Sequence, residues 1–325
     1  MGHTGFQHQA LIYEGAGEYL AGTVPFIEAA LQVGEPVMAA VSRSQAELLA
    51  RALGPASRRV EFAPMEEVGR NPAALVPLWR DFVAAGGGRP VCGISEATWP
   101  ERGAAGLEEC HRSECLLNVA FADGPGWSLL CPYDACALTD VDEVLEKAAR
   151  THRYISREGR TECSAAFDPD PDCLGGALPS PSGTPGTLSF GLGELAEVRR
   201  CVTAAAERVR MDRREVADFV TAVSELAANS VMHGGGSGAL RVWREDDCLL
   251  AEVTDRGRIE EPLVGRVRPD ISQEGGRGLW LANQLCDLVQ IRSDAEGTTV
   301  RLHTVAHQGT SPGPFGSRPL GLSNA

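Results

Sequence analysis

Short apolar runs alternate with longer amphipathic runs through the first 150 residues, and this alternation constrains the fold more than any other feature of the sequence. Several apolar runs have strand length and are apolar on both faces, as in strands buried inside a sheet. We predict strands at 10–13, 37–41, 60–62, 91–94 and 127–131. We predict helices between them at 18–33, 44–53, 72–85, 105–122 and 141–150. Strands that alternate with helices predict a mainly parallel sheet covered by helices on both sides.

Length and composition indicate two folded units joined by a connector. At 325 residues the chain is too long for one ordinary hydrophobic core. The stretch 157–186 is rich in Pro, Gly, Ser and Asp, and it predicts a mobile connector because it cannot bury enough apolar surface to fold. The end of the chain has a similar composition, which predicts a disordered tail. We therefore predict domains at 6–155 and 188–305, a linker at 156–187 and a tail at 306–325.

The charge balance and the absence of targeting signals restrict the partners and the location. A formal net charge of -14 and a pI near 5.0 disfavour direct binding to nucleic acid, which needs clustered Lys and Arg. No apolar run reaches the roughly 18 residues of a membrane span, and the N-terminus lacks the basic and apolar regions of a secretory signal. We therefore predict a cytoplasmic protein, without membrane contact, whose ten cysteines are mostly reduced.

The second half of the chain contains a helical run with an unusual polar stripe. Between Val216 and Gly234 apolar residues recur at helical spacing, and Asp212 is a candidate N-cap. Glu225, Asn229 and His233 follow one another at i, i+4, so they lie along one side of the predicted helix. This stripe is a candidate site, although taken alone it also fits an ordinary solvated helix face.

Glycine-containing motifs follow this helix in a fixed order. A hairpin of strands at 239–243 and 249–254, with acidic residues at its turn, leads into Asp255-Arg256-Gly257. A polar loop then leads to Gly275-Gly276-Arg277-Gly278-Leu279 at the start of another helix. Further strands are predicted at 289–291 and 299–302, with Gly297-Thr298 before the last one. Each motif alone is a common turn or hinge, but their order and spacing are informative.

A helix bearing Glu and Asn, a strand ending in Asp-x-Gly, a glycine-rich helix start and a final Gly-Thr resemble the ATP-binding fold of the GHKL superfamily. That (Bergerat) fold is an α/β sandwich, and the chain resembles in particular the anti-sigma factor serine kinases of the RsbW type. The resemblance implies ATP and Mg²⁺ as cofactors. It also implies that a helix at 194–210 takes part in a homodimer.

The resemblance gives each motif a role in nucleotide binding. Asp255 would accept the exocyclic amino group of adenine, Gly257 would let the base approach the backbone, and Thr298 would complete the adenine contacts. Asn229 would supply an amide oxygen to Mg²⁺. Backbone N–H groups at a helix N-terminus suit phosphate oxygens, so the phosphate-binding candidates are Gly275, Gly276, Arg277, Gly278 and Leu279.

Glu225 is the candidate catalytic residue. In the resembled kinases this position acts as the general base that draws a proton from a substrate serine as the phosphoryl group is transferred. His233 is expected to support the end of the helix rather than to react. No pair of helices with a phosphoacceptor histidine precedes the predicted ATP-binding fold, which disfavours a sensor histidine kinase.

Five segments of the first half, 8–13, 24–37, 96–100, 114–118 and 130–134, together resemble the MEDS sensory domain of bacterial regulators. The resemblance covers about residues 6 to 155. It implies a ligand-sensing relative of the RecA-like fold without a working phosphate loop, and neither a Walker A motif nor a strand-linked G-x-G-x-x-G occurs in this half. The candidate contacts for a small-molecule ligand are His8, Glu96, Trp99, His111, Glu114 and Tyr133.

The cysteines of the first half allow a second interpretation. A metal or redox centre could be built from Cys110, His111, Cys115, Cys131 and Cys136. Against it, the C-x4-C spacings match no common zinc pattern, and cysteine is a frequent core residue.

These observations predict an anti-sigma regulatory factor in which a sensory domain controls an ATP-dependent serine kinase. The predicted partners are a sigma factor, a STAS-type anti-sigma factor antagonist, or both. Two alternatives stay open: a non-catalytic module that sequesters its partner and holds ATP as a structural ligand, and a redox sensor that uses the N-terminal cysteines.

Overall fold

A computed structural model describes residues 5–99, 102–124, 126–170, 174–269 and 276–306 of the chain. Their strands form two sheets, one of seven strands in the N-terminal half and one of five strands in the C-terminal half. The protein is therefore a two-domain α/β structure. Within the described ranges, no helix is both long and apolar enough to span a bilayer.

The N-terminal sheet has the strand order β3-β2-β4-β5-β1-β6-β7. Its strands are β1 (Phe6–Tyr13), β2 (Val37–Val41), β3 (Val60–Pro64), β4 (Cys92–Ser95), β5 (Trp127–Asp134), β6 (Tyr154–Arg157) and β7 (Arg160–Cys163). Neighbouring strands from β3 through β6 pair in parallel, and only β7 pairs antiparallel. The predicted parallel sheet is confirmed, because the long crossovers between its strands carry helices.

Helices cover both faces of this sheet and bury two separate cores. They are α1 (Gly15–Val33), α2 (Arg43–Leu53), α3 (Met65–Val68), α4 (Leu75–Ala85), α5 (Gly103–Ala120) and α6 (Val141–Thr151). One core contains Ile27 of α1 and Leu49 of α2. The other contains Trp79 of α4, Leu117 of α5 and Ala148 of α6. Because both faces are buried, the strands are almost continuously apolar, which is why the sequence revealed them.

The C-terminal sheet is antiparallel and has the order β11-β12-β10-β9-β8. Its strands are β8 (Gly186–Gly191), β9 (Ser237–Glu245), β10 (Cys248–Asp255), β11 (Leu288–Ser293) and β12 (Thr298–Val305). Helices α7 (Leu195–Arg208), α8 (Arg213–His233) and α9 (Arg277–Leu285) accompany it. Side chains from all three helices and from the strands form one core, which includes Val202, Phe219, Ala282 and Leu302. The α/β arrangement of this half is confirmed.

The longest of these helices begins where the sequence indicated. The Asp212 side chain accepts hydrogen bonds from the backbone N–H groups of Arg214 and Glu215, each over 2.8 Å. The Glu215 side chain accepts from the Asp212 N–H in return over 3.0 Å, which completes a capping box. The cap fixes the start of α8 and so fixes which side chains its polar stripe presents.

The predicted mobile connector is more ordered than its composition indicated. β7 lies inside this segment and every residue of β7 is exposed, so the strand shows no apolar alternation in the sequence. Further on, the Arg292 Nε donates to the Gly176 carbonyl over 3.1 Å, and an Arg301 Nη2 donates to the Pro179 carbonyl over 2.7 Å. The composition gives no sign of these contacts, because they use backbone carbonyls, which any residue provides. The predicted tail beyond residue 306 lies outside the described residues.

Candidate nucleotide-binding site

A cavity of about 330 Å³ lies between α8, the end of β10, the start of β12 and the loop that follows β10. This volume is within the range of small-molecule sites. Six of the residues selected from the sequence line the cavity: Asn229, Asp255, Gly257, Gly276, Leu279 and Thr298. Gly275 lies outside the described residues. The motifs that are scattered over 70 positions of the sequence thus meet around one space, roughly as the ATP-binding resemblance requires.

Asp255 is held in a fixed orientation at the wall of the cavity. Its Oδ1 accepts from the backbone N–H of Gly257 over 2.7 Å, and its Oδ2 accepts from the Ser230 hydroxyl over 2.6 Å. A carboxylate has about four acceptor positions, so two remain for a ligand. Ser230 was not selected from the sequence. Its only signal was its place next to Asn229, on a helix already assigned to the site.

Glycines permit the close packing around Asp255. A Cβ atom on Gly234 would lie 2.3 Å from the Asp255 Cγ, and a Cβ atom on Gly257 would lie 2.7 Å from the His233 carbonyl oxygen. The Thr298 hydroxyl donates to the Gly257 carbonyl over 2.8 Å. The end of α8, the Asp-x-Gly turn and the start of β12 therefore form one rigid corner of the cavity.

The first turn of α9 packs directly on the polar stripe of α8. A Cβ atom on Gly278 would lie 2.8 Å from the Asn229 Nδ2 and 3.2 Å from the Glu225 Oε2. Gly276 precedes the helix with a φ of 76°, in the left-handed region that favours glycine. The helix N-terminus, with its outward N–H groups and positive dipole end, thus lies beside the amide and carboxylate of the stripe. Glu225 stands one turn before Asn229 and is not among the residues that line the cavity.

The loop after β10 contacts the cavity on one side and the N-terminal domain on the other. Ile259 and Val264 line the cavity, together with the carboxylates of Glu260 and Glu261. From the same loop, Leu263 and Val267 pack against the core of the N-terminal domain. The nucleotide cavity and the N-terminal domain therefore share a wall.

A buried ion-pair group fixes this shared wall. An Arg266 Nη2 lies 3.1 Å from the Glu109 Oε2, and its Nη1 donates to the Ser113 hydroxyl over 2.9 Å. The other Glu109 oxygen accepts from an Arg292 Nη1 over 2.7 Å. The side chains of Arg266 and Glu109 are 2% and 1% exposed. Sequence reasoning missed this group because an Arg in a polar loop and a Glu on a helix normally indicate solvated positions.

Curated relatives match the C-terminal half. The chain is 30% identical over 110 residues to a serine-protein kinase RsbW of Halalkalibacterium halodurans, and the match covers 30% of this chain and 68% of that protein. It is 33% identical over 101 residues to the anti-sigma F factors of two Clostridium botulinum strains, with 27% of this chain and 69% of each relative covered.

The chain belongs to the RsbW and anti-sigma F family. Two domain families also match: the histidine kinase-like ATPase domain at residues 188–304 and the MEDS domain, named for methanogens, methylotrophs and the DcmR sensory domain, at residues 7–153. The MEDS match contains the first five strands of the N-terminal sheet, apart from the first residue of β1, and the ATPase-domain match contains nearly all of the C-terminal sheet. A crystal structure of the RsbU and RsbW domains of a Mycobacterium tuberculosis protein matches with 23% identity and a TM-score of 0.28. That match covers 37% of this chain and 32% of that one, about a third of its length.

Four of the six predicted sensor contacts lie together in the interior of the MEDS domain. The Tyr133 hydroxyl donates to the Glu114 Oε2 over 2.5 Å, and His111 stacks on the Tyr133 ring with centroids 6.0 Å apart. His8 joins them through His152, whose ring centroid lies 4.0 Å away. Burial lowers the pKa of His8 to about 3, so its imidazole is neutral at pH 7. His152 was not selected from the sequence, since a lone histidine after a helix gives no signal.

The other two predicted contacts lie elsewhere. Glu96 follows β4 and accepts from the backbone N–H of Ser42 over 2.9 Å, at the carboxyl edge of the sheet. Burial raises the pKa of its carboxyl. Trp99 packs under the Arg102 guanidinium, 3.6 Å from the ring centroid. These two residues have separate partners, and neither contacts the buried cluster of Glu114 among the contacts of the described residues.

The cysteines proposed for a metal or redox centre do not meet at one point. The Cys110 thiol donates to the Ala97 carbonyl over 3.1 Å, Cys115 contacts Leu174, and Cys136 is exposed. Burial raises the pKa of Cys110 to about 12, and burial also raises that of Cys131. A protonated, buried thiol is a poor nucleophile, so these two positions do not support redox sensing.

Proposed function

We propose that the protein is an anti-sigma regulatory factor whose RsbW-family domain phosphorylates a serine of a STAS-type antagonist, binds a sigma factor, or does both. The observation that carries the proposal is the cavity where Asn229, Asp255, Gly257 and Thr298 meet. The relatives of the chain named above are a serine-protein kinase and anti-sigma F factors. The partners and the turnover are inferred from this family membership.

The residues around the cavity fit Mg·ATP. Asp255 keeps two acceptor positions for the adenine amino group, and Gly257 leaves the base room that a side chain would fill. The N-terminus of α9, with Gly276, Gly278 and the adjoining Arg277, offers N–H groups to phosphate oxygens. Asn229 would hold the magnesium ion, which neutralises phosphate charge when bound.

Glu225 is the proposed general base. It lies one helical turn from Asn229 and against Gly278, so it would stand near the γ-phosphate. There it would orient a substrate hydroxyl and accept its proton during transfer. His233 lines the cavity from the last turn of α8, whereas the hydrogen bonds described for Asp255 come from Ser230 and Gly257.

We also propose that the MEDS domain senses a small molecule and controls the kinase. The support is the loop of 258–269, which lines the nucleotide cavity and is fixed to α5 by the pairing of Arg266 with Glu109. Glu109 and Ser113 occupy one side of α5, and Glu114 with Asn118 occupy the next, towards the buried cluster. A change at the cluster that shifts α5 would therefore reach the wall of the cavity.

A RecA-like relationship of the MEDS domain without phosphate binding is part of the proposal. The parallel strand order supports it. At the end of β1, where such folds bind phosphate, the Glu18 carboxylate accepts from the Glu14 N–H over 2.8 Å. Two carboxylates at this helix N-terminus disfavour a phosphate by like-charge repulsion.

Phosphotransfer from radiolabelled ATP to a candidate antagonist tests the kinase. We expect the full chain to label the antagonist, Glu225→Ala to bind nucleotide without labelling it, and Asp218→Ala, an acidic control on the same helix, to behave as wild type. Equal labelling by wild type and Glu225→Ala contradicts the role of Glu225. A wild type that captures a sigma factor but labels nothing favours the sequestering alternative. Light scattering tests the proposed homodimer through α7.

A further inference from the structure

Three buried side chains with metal-binding donor atoms lie close together inside the MEDS domain, away from the nucleotide cavity. His8 lies on β1, Cys131 on the neighbouring strand β5, and His152 directly after α6, and all three are buried. One metal-binding donor atom of each lies within 4.8 Å of the other two. Cys131 is paired with Ala10, two residues beyond His8, so its thiol and the His8 ring are on the same face of the sheet.

Hydrogen bonds fix the His8 ring with Nε2 towards the group. The His8 Nδ1 lies 3.0 Å from the Asn118 Oδ1. The Asn118 Nδ2 donates to the Thr151 carbonyl over 2.8 Å, which identifies Oδ1 as the acceptor and the His8 Nδ1 as the protonated nitrogen. The His8 Nε2 therefore carries a lone pair, and it lies 3.4 Å from the Cys131 Sγ.

The His152 ring is fixed in the same way. Its Nδ1 lies 2.9 Å from the Ala148 carbonyl oxygen and therefore carries the proton. Its Nε2 is buried and has no hydrogen-bond partner among the described residues. Such an orphaned lone pair in the interior needs a structural explanation. Histidines that bind metals commonly donate their other N–H to a carbonyl or amide oxygen. His8 does so to the Asn118 amide oxygen and His152 to the Ala148 carbonyl oxygen.

The spacing suits a tetrahedral ion. Zn–N bonds of about 2.0–2.1 Å and a Zn–S bond of about 2.3 Å place nitrogen and sulfur ligands about 3.6 Å apart. The His8 Nε2 to Cys131 Sγ distance is 3.4 Å. Glu114 lies outside this three-residue group, but its Oε1 is 3.7 Å from the His152 Nε2, which makes it the candidate for a fourth donor.

The charge of the cluster also favours a cation. The Glu114 side chain is only 2% exposed, and each of its oxygens lies beside a histidine ring: Oε2 is 3.4 Å from the His111 Nδ1, and Oε1 is 3.7 Å from the His152 Nε2. In the described part of the chain the ion-pair partners of Glu114 are histidines, and no Lys or Arg is among them. A buried carboxylate is costly without a counter-charge.

We propose that His8, Cys131, His152 and Glu114 bind one divalent transition-metal ion, with Zn²⁺ the ion that this donor set prefers. On binding, the Cys131 thiol loses its proton to water and a metal–sulfur bond forms. Two nitrogens, one thiolate and one carboxylate suit Zn²⁺ better than the harder Mg²⁺ or Ca²⁺. The inference concerns the MEDS domain alone and does not depend on the kinase.

Cobalt substitution tests the site directly, because a cobalt–thiolate bond gives a charge-transfer absorption band. The full chain, without a histidine tag, is stripped of metal, reduced and titrated with Co²⁺, and the bound Co²⁺ is then displaced with Zn²⁺. We expect one Co²⁺ per chain, a thiolate band in wild type, and loss of that band on addition of Zn²⁺. Cys131→Ser should lose the band, whereas Cys110→Ser, a buried cysteine outside the group, should keep it.

A second variant separates metal binding from a folding defect. Asn118→Ala leaves all four proposed ligands in place but removes the side chain that orients His8, so it should keep the band and weaken binding by about 10- to 100-fold. Circular dichroism and nucleotide binding by the RsbW-family domain confirm that each variant is folded. If Cys131→Ser does not fold, His152→Gln takes its place with the same expected loss. A wild type without the band, a band retained in the folded ligand variant, or unchanged affinity in Asn118→Ala overturns the proposal.

Discussion

Arg266 and Glu109 form a buried ion pair 3.1 Å long, although 157 positions separate them in the chain. One residue belongs to the loop at the nucleotide cavity and the other to helix α5 of the MEDS domain. Within the described residues, Asn71 adds a second link, since its side-chain amide donates to the Asn283 carbonyl over 2.9 Å. Polar contacts that are specific in position therefore join the two halves, in addition to the apolar packing of Leu263 and Val267.

Glu109→Gln should destabilise the full chain by about 3–5 kcal/mol, because the loss of one partner leaves a buried charge without compensation. Both Arg266 and Arg292 pair with this carboxylate. Urea denaturation measures the change. Glu47→Gln removes an exposed pair with Arg51, 3.9 Å apart, and should change stability by at most about 0.5 kcal/mol. Similar small effects of both substitutions would contradict the buried role of Glu109.

Arg266→Met should change the affinity of the full chain for nucleotide, although Arg266 is not itself among the residues that line the cavity. The substitution frees the loop of 258–269 from α5, and the opposite side of that loop lines the cavity. The fold-change in the affinity for a fluorescent ATP analogue, measured on full-length wild type and variant, reports the coupling between the domains. An affinity equal to that of wild type would show that the loop is not a route of control.

Asn229→Ala and Glu225→Ala should separate binding from transfer. Asn229 lines the cavity and is the proposed Mg²⁺ ligand, so its loss should abolish Mg·ATP binding in calorimetry. Glu225 is not among the residues that line the cavity, so its loss should leave nucleotide affinity nearly unchanged and remove phosphotransfer. Nucleotide affinity in Asn229→Ala equal to that of wild type would refute the assignment.

The sequence predicted those parts of the molecule whose chemistry is local. The parallel strands were visible because burial on both faces makes them continuously apolar, and Asp212 was visible because a cap acts on the next three residues. The candidate nucleotide-binding residues were selected through a resemblance that depends on glycines at fixed spacing. The spacing is fixed because some of these glycines lie so close to a neighbouring side chain that a Cβ atom would not fit, as at Gly278 beside Asn229.

Long-range polar partners could not be predicted in this way. Arg266 occurs among polar residues and Glu109 beside another glutamate, and nothing local distinguishes them from solvated charges. His152 likewise gives no local signal, and Cys131 was selected from the sequence with other partners, because the pairing of β1 with β5 that brings it to His8 is not visible in the sequence. Pairings of this kind depend on the fold as a whole, so one sequence does not contain a periodic signal for them.

Gly278→Ala should weaken nucleotide binding more than stability. The new Cβ would lie 2.8 Å from the Asn229 Nδ2, so the amide must move from the position at which it would hold Mg²⁺. Overpacking of this kind typically lowers the free energy of unfolding by about 1–3 kcal/mol. Gly193→Ala is the matched control, because a Cβ there has no atom within 4 Å. Calorimetric titration with Mg·ATP should show a loss of affinity in the first variant only; an equal affinity in both would contradict the packing argument.

His303 should make the stability of the protein fall below pH 6.5. Burial, followed by the charge of Arg301, lowers the pKa of His303 from 6.5 to about 4 in the folded state. Between these two pH values His303 is protonated in the unfolded chain but not in the folded chain, so the folded state loses stability as the pH falls. At about 1.4 kcal/mol for each pH unit, the loss by pH 4 is at most about 3 kcal/mol. His303→Gln should remove this part of the pH dependence in urea denaturation curves, while His233→Gln, at an exposed position, should follow wild type. If the pH profile of His303→Gln is parallel to that of wild type, His303 is not protonated on unfolding in this range.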